Sequence, residues 1–308
     1  MSTNGSITAI GTEMRSYYGR PIVKEPVWQP EIPWYFFTGG IGGASSALSL
    51  VARIAGNERL AKTSLYISAV ADAVSPLLLI SDLGRPERFL NMFRVFKVTS
   101  PMSVGSWILG ISGGASGAAA LLELVDRWRP AKYTAEAVSA LTGPPLATYT
   151  GTLIADTAIP VWHEARRELP FLFAASAAGS AGAASTLFLS PDEAGPARRL
   201  AVGGAVASNV LSVAMQLRLG LVGEVYHHGE AGRLSAIAKV CTGAGAALLR
   251  RRGSRSRTAA VLGSALVLGG EAALRWSVFK AGFQSARDPK YTVVPQRERI
   301  RRRTTASP

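Results

Sequence analysis

The chain has 308 residues, a formal charge of +14 and only 18% charged residues against 48% hydrophobic ones. Its one cysteine, Cys241, cannot ligate an iron–sulfur cluster and has no partner in the chain for a disulfide. Its three histidines (His163, His227, His228) fall short of the axial imidazoles that a di-haem membrane cytochrome needs.

Residues 1–33 are polar and hold Pro21, Pro26, Pro30 and Pro33. No apolar stretch precedes a cleavage site there, so no signal peptide is expected. Trp28, Trp34 and Tyr35 mark the point where the chain meets the membrane, as interfacial aromatics do. Eight uncharged or nearly uncharged stretches follow, at roughly 34–52, 64–81, 103–122, 135–160, 169–190, 200–221, 234–249 and 258–279. Each is near the ~20 residues that a helix needs to cross a bilayer. This predicts an all-α, polytopic membrane protein with about eight transmembrane helices, arranged as two four-helix bundles over residues 34–280. The spans are rich in Gly, Ala and Ser, which suits close helix packing in lipid, and Gly39, Gly40, Gly42, Gly43 and Ala44 make the first span such a face. A soluble helical protein would instead carry charge along one stripe of every helix. Ser103–Leu122 carries none.

Ionisable residues inside a membrane are costly and read first as functional. Asp72 lies in the middle of the second span, four residues before Pro76. Asp156 lies in the second half of the fourth. Glu271 and Arg275 are four apart in the eighth and can pair on one face. Arg218 ends the sixth span, near Glu224. Asp72, Asp156 and Glu271 are candidates for a proton path or a polar pocket; interhelical glue and snorkelling are the other reading, favoured for Arg218 and Arg275 near their span ends.

The fourth span contains Thr142-Gly-Pro-Pro145, Tyr149-Thr-Gly151, Asp156 and Pro160-Val-Trp-His163. The paired prolines free backbone carbonyls, tolerable where a helix lines a cavity. Tyr149, Thr152 and Asp156 share one helical face. A phenol there can donate to a carbonyl oxygen, such as that of a quinone ring, or can pack against neighbouring backbone. The loop after the second span, Ser81-Asp-Leu-Gly-Arg-Pro-Glu-Arg-Phe89, alternates charge around a Gly/Pro turn and suits docking of another subunit through Asp82, Arg85, Glu87 and Arg88.

From about Ala281 the chain is polar, ending in Arg297, Arg299, Arg301, Arg302 and Arg303. This tail, 281–308, is expected to be solvated near anionic lipid and not to bind nucleic acid. An even number of spans puts both termini on one side. Loops on that side hold seven Lys+Arg and loops on the other side thirteen; the near parts of the tails bring the first count to thirteen, so orientation is left undecided.

Five segments in order resemble the NrfD/PsrC family of membrane subunits of polysulfide-reductase-like complexes. They are Tyr18-Gly-Arg-Pro21, Trp34-Tyr-Phe-Phe-Thr-Gly-Gly-Ile-Gly-Gly43, Asp82-Leu-Gly-Arg-Pro-Glu-Arg-Phe89, Thr99-Ser-Pro-Met-Ser-Val-Gly-Ser-Trp107 and Tyr149-Thr-Gly151 with Pro160-Val-Trp162. The likeness is clearest over residues 17–175. It implies a multi-pass subunit of the cell membrane that binds menaquinone or ubiquinone and holds no metal of its own. It implies a ferredoxin-like iron–sulfur subunit docked on the side of the termini, and a molybdopterin-dependent catalytic subunit beyond it. Polysulfide-reducing and formate dehydrogenase-like partners both fit. By motif, Tyr149 matches the family's quinone-associated tyrosine on the fourth helix. Tyr35 falls where a relative has a polar ring residue, here a phenol and not an imidazole. Gln29, Glu31 and Thr152 complete the expected quinone-site set.

Two other functions compete. A secondary transporter or ion channel would use Asp72, Asp156 and Glu271 as coupling sites, and would show an internal repeat with matching broken helices. The prolines of spans two and four have no convincing counterpart in the second half. A single haem shared by His163 and the His227/His228 pair is the other, and a Soret band in the purified chain would reveal it.

Overall fold

The computed structural model describes residues 21–306, with side chains to residue 301. Ten α-helices follow in chain order: α1 Glu31–Ile54, α2 Glu58–Asp82, α3 Pro101–Leu124, α4 Arg129–Ala155, α5 Pro160–Glu164, α6 Leu169–Phe188, α7 Gly195–Leu219, α8 Gly229–Arg252, α9 Arg257–Arg287 and α10 Lys290–Ala306. Short 3-10 helices, Pro86–Phe93 and Gly220–His227, lie in the loops after α2 and α7. Among the described residues eight helices have twenty residues or more, matching the eight expected spans. Five of them (α2, α3, α6, α7 and α9) are apolar enough by composition to cross a membrane. The other three are α1, α4 and α8. Charge clusters at the ends of α4 and α8, at Arg129 and Lys132 and at Arg250, Arg251 and Arg252. The chain is a polytopic all-α membrane protein.

The helices pair as two four-helix groups. Helix α1 packs on α2 and α4, and α3 on α4. Helix α6 packs on α7 and α9, and α8 on α9. Helices α1, α4 and α6 form the seam, and one apolar core of aromatic and aliphatic side chains spans both halves, including Phe36, Trp162, Phe173 and Phe279. Local chemistry sets several ends. The side chain of Asn57 accepts from Leu60 N to start α2, and Ser100 and Ser256 do the same for α3 and α9. Gly220, at φ +53, stops α7 in a conformation that suits glycine.

Three expectations change. The fourth span is not continuous to Pro160: α4 ends at Ala155, Asp156 is its exposed C-cap, and Pro160 opens the separate helix α5. Thr157 Oγ1 caps the break by donating to Ile154 O at 2.8 Å. The eighth span runs on to Arg287, so Arg275 sits well inside α9, is 1% exposed and cannot snorkel. The chain beyond Ala281 is not a free tail. Arg287 forms two hydrogen bonds to Glu25, Lys290 meets Glu224 and Arg299 meets Glu164. These contacts tie α9 and α10 to the strap before α1, the turn after α7 and helix α5. Tyr18, Gly19 and Arg20 lie outside the described residues.

Candidate functional site

The first turn of α1, the end of α2, the start of α3 and the second half of α4 converge on a partly enclosed cavity of about 100 Å³. Its walls include Trp28, Tyr35, Asp82, Met92, Met102 and Tyr149. The strap before α1 is pinned there: Gln29 N donates to Asp82 Oδ1 at 2.9 Å, and Trp28 stacks on Trp162 with ring centroids 5.5 Å apart. Tyr35 is 1% exposed and its hydroxyl has no hydrogen-bond partner. It therefore points inward, not to the membrane interface as an anchor would. The Tyr149 ring lies directly on α3. A Cβ on Gly105 would fall 2.0 Å from Tyr149 Cε2, so only glycine leaves the ring its place.

The structure thus brings Tyr149 and Tyr35 to one cavity. Gln29 joins it through its backbone, and Glu31, half-buried with Oε2 unpartnered, sits on the next turn. Thr152 is exposed and does not line the cavity; Leu153 takes that position. Asp82 is a cavity wall, whereas Arg85, Glu87 and Arg88 stand exposed beyond it. Sequence reasoning, which gives this loop a docking role alone, misses Met92, which the loop places in the cavity wall.

Asp72 occupies the middle of the first bundle at 1% exposure. Its Oδ2 accepts from Ser116 at 2.8 Å and, at 3.4 Å, from Ser68 and Ser112; Oδ1 has no partner. Gly42 makes the room, since a Cβ there would lie 2.0 Å from Oδ1. Pro76 removes the amide that would otherwise close on Asp72 O. Further buried hydroxyls run in both directions. Ser75 meets Thr38 at 2.8 Å toward the cavity, and Ser49 donates to Glu136 Oε1 at 2.6 Å toward the far end. There Arg53 binds Glu136, Glu58 and Glu123, while Lys62 and Lys132 bind Glu123 at 2.8 and 2.9 Å. Three cations thus meet three carboxylates. In sequence order Arg53, Lys62 and Lys132 look like ordinary loop cations, because their partners come from other helices.

The second bundle has its own buried charges. Glu271 Oε1 accepts from Ser208 at 2.7 Å. Arg275 donates to Phe173 O at 2.9 Å and lies 3.7 Å over the Phe173 ring. The expected pairing of Glu271 with Arg275 along one helix face does not form. Each is drawn to a different neighbour, Glu271 to α7 and Arg275 to α6. Glu271 Oε2 and Arg275 Nε and Nη1 are left buried without partners. Asp156 stands apart from both bundles' interiors as an exposed C-cap. Arg218 pairs with Glu168 and not with Glu224. His163, His227 and His228 are exposed, and the described residues contain no group of three or more His, Cys, Asp or Glu placed to hold a metal ion.

No curated protein matches this sequence. The profile of the NrfD_2 family, described as polysulfide reductase, matches residues 14–287, which is most of the chain and all eight long helices. The chain therefore belongs to the NrfD-type polysulfide reductase family and is a membrane subunit of an oxidoreductase complex.

Proposed function

We propose that this subunit exchanges electrons between an iron–sulfur partner and the membrane quinone pool, with the quinone ring held between Tyr149 and Tyr35. The observation that carries the reading is the buried Tyr35 hydroxyl without a partner, in the same cavity as Tyr149. A buried hydroxyl left unsatisfied costs about 1–3 kcal/mol. A ligand carbonyl would relieve that cost, and two phenols match the two carbonyls of a menaquinone or ubiquinone. The apolar remainder of the wall suits the ring faces. When bound, such a quinone supplies two-electron, two-proton redox chemistry. The chain's own contribution is to orient the ring and to exclude water. Gly105 holds the Tyr149 ring in place, and the Gln29–Asp82 bond closes the strap over the cavity.

Asp72 and Glu271 are the proton-handling carboxylates of this reading, each with one unpartnered oxygen in the interior. The hydroxyls of Thr38 and Ser75 lie between the cavity and Asp72. Asp156, exposed at the end of α4, belongs to the water side of such a path. Arg85, Glu87 and Arg88 project beyond the cavity on the side of the described C-terminal helix and form the docking surface for a ferredoxin-like iron–sulfur subunit. A molybdopterin-dependent catalytic subunit lies beyond it.

The test is Tyr149→Phe in the assembled complex. Loss of one hydrogen bond of about 0.5–1.5 kcal/mol slows electron transfer to quinone by roughly two- to tenfold, and more if the phenol delivers a proton. Assembly with the iron–sulfur subunit stays intact. Unchanged quinone turnover in that variant refutes the assignment.

A further inference from the structure

The loop between α2 and α3 is longer than a connection between neighbouring helices needs, and its second half does not sit on top of the bundle. Phe93 lies against Gly110, where an added Cβ would meet the ring at 2.8 Å. Gly110 is nine residues into α3, so the contact is roughly 13 Å along the helix from Pro101 at 1.5 Å per residue. Phe93 and Phe96 both pack edge-on against Trp107, at 5.7 and 6.1 Å. Ser103 Oγ accepts from Lys97 N and donates to Val95 O, each at 3.0 Å, and Ser106 Oγ donates to Met92 Sδ at 3.6 Å. Residues 92–97 therefore run alongside the first three turns of α3.

The outer side of this segment bares four apolar side chains, with the exposed cations Arg94 and Lys97 between them, whose long stems let the charge snorkel to the membrane surface. Leu90, Val95, Phe96 and Val98 are 57–75% exposed. They continue the exposed face of α3 at Met102 and Ile111, which is the surface that a membrane-crossing helix turns to lipid. The inner side is a cavity wall, through Met92. Through Met92 this segment thus stands between part of the Tyr149–Tyr35 cavity and an exposed apolar surface.

We propose that residues 92–98 are a lipid-inserted flap and the lateral doorway by which a quinone passes from the bilayer into the cavity. This deepens the quinone reading and rests on it. The cavity, about 100 Å³, is smaller than the ~150 Å³ that takes benzene in a protein core, so a wall must yield to admit a substituted ring. Met92 and Met102 are the walls built to yield, having long unbranched side chains. The flap is held to α3 by hydroxyl contacts and ring edges rather than by a buried core of its own.

Two measurements on the full chain in phosphatidylcholine vesicles test this. In a Cys241→Ser background, spin labels at Phe96→Cys and Arg88→Cys report depth. The label at 96 is expected to collide with oxygen and not with an aqueous nickel chelate, and the label at 88 to do the reverse. A label at 96 that the chelate reaches, or that is shielded only once an iron–sulfur subunit is added, overturns the insertion. Second, Phe96→Asp lifts the flap toward water without touching the cavity, with Val95→Asp as an independent second variant. Association of a long-chain isoprenoid quinone is expected to slow about tenfold, and that of a quinone with one isoprenoid unit to keep its wild-type rate. Equal rates for the long-chain quinone in wild type and both variants overturn the doorway. If the wild-type chain binds neither quinone, the quinone reading itself fails, while the depth measurement still decides the flap.

Discussion

Gly105→Ala adds one methyl group, and the structure fixes where it goes. The new Cβ falls 2.0 Å from Tyr149 Cε2, 2.6 Å from Cδ2 and 2.7 Å from Cζ. Ordinary carbon contacts are about 3.5–4.0 Å, so the ring must retreat by roughly 1.5 Å or α3 must move away from α4. Overpacking of this kind costs about 1–3 kcal/mol. Because the displaced group is the phenol of the candidate site, the change should appear twice, as lower thermal stability in detergent and as weaker quinone turnover. The same substitution at Gly114, nine residues further along α3, meets nothing within 4 Å. There alanine gains helix propensity of up to ~1 kcal/mol and is neutral or stabilising. Thermal unfolding and quinol oxidation of the two variants, measured side by side, separate the effects. A Gly105→Ala protein with wild-type turnover would mean that the position of Tyr149 does not matter, and the site would be misassigned.

Glu136→Ala removes a carboxylate that is 1% exposed and leaves Arg53 with Glu58 and a longer contact to Glu123. Breaking a buried pair costs about 3–5 kcal/mol, reduced here because two partners remain. Glu193→Ala breaks an exposed pair with Arg59 and should cost at most ~1 kcal/mol; equal losses in detergent unfolding would contradict the network. At the strap, hydrogen bonds from Arg287 hold the Glu25 carboxyl below its ordinary value. The strap contact is thus fully present above the ordinary carboxylate pKa of ~4.3 and is lost as pH falls through the depressed value. The protection of residues 21–30 against hydrogen exchange, taken relative to the intrinsic exchange rate at each pH, should fall on acidification in wild type, and Glu25→Gln should show that lower protection already at neutral pH. Charge reversal at both Arg85 and Arg88 should reduce co-purification of an iron–sulfur subunit, and an unchanged yield would remove them from the docking surface.

Much of the fold is legible in sequence because hydropathy acts locally. Each long helix announces itself as a charge-poor stretch, and the proline–glycine turn at Gly84–Pro86 marks its loop. Boundaries are less legible where tertiary contacts decide them. Nothing near Asp156 in sequence shows that Thr157 caps the helix there, and α9 extends past Phe279 because Ala281, Gly282, Ser285 and Ala286 are buried there, with Gly282 against Trp162, more than a hundred positions away. The same limit applies to the site. Tyr149 and Asp72 stand out as polar groups in apolar runs. Met92, an ordinary loop methionine, and Glu136, an ordinary glutamate near a helix start, gain their meaning only from neighbours that the fold supplies. Glu271 and Arg275 show the converse: a spacing that permits an ion pair does not form one when better partners lie on other helices.

The most direct test of the central claim is a binding titration of the purified chain with menaquinone, followed by quenching of the Trp28 and Trp107 fluorescence. Saturable one-site binding is predicted for wild type, with affinity reduced about two- to tenfold in Tyr149→Phe and in Tyr35→Phe, each losing one hydrogen bond. No saturable binding in wild type, or identical affinities in all three proteins, would contradict it.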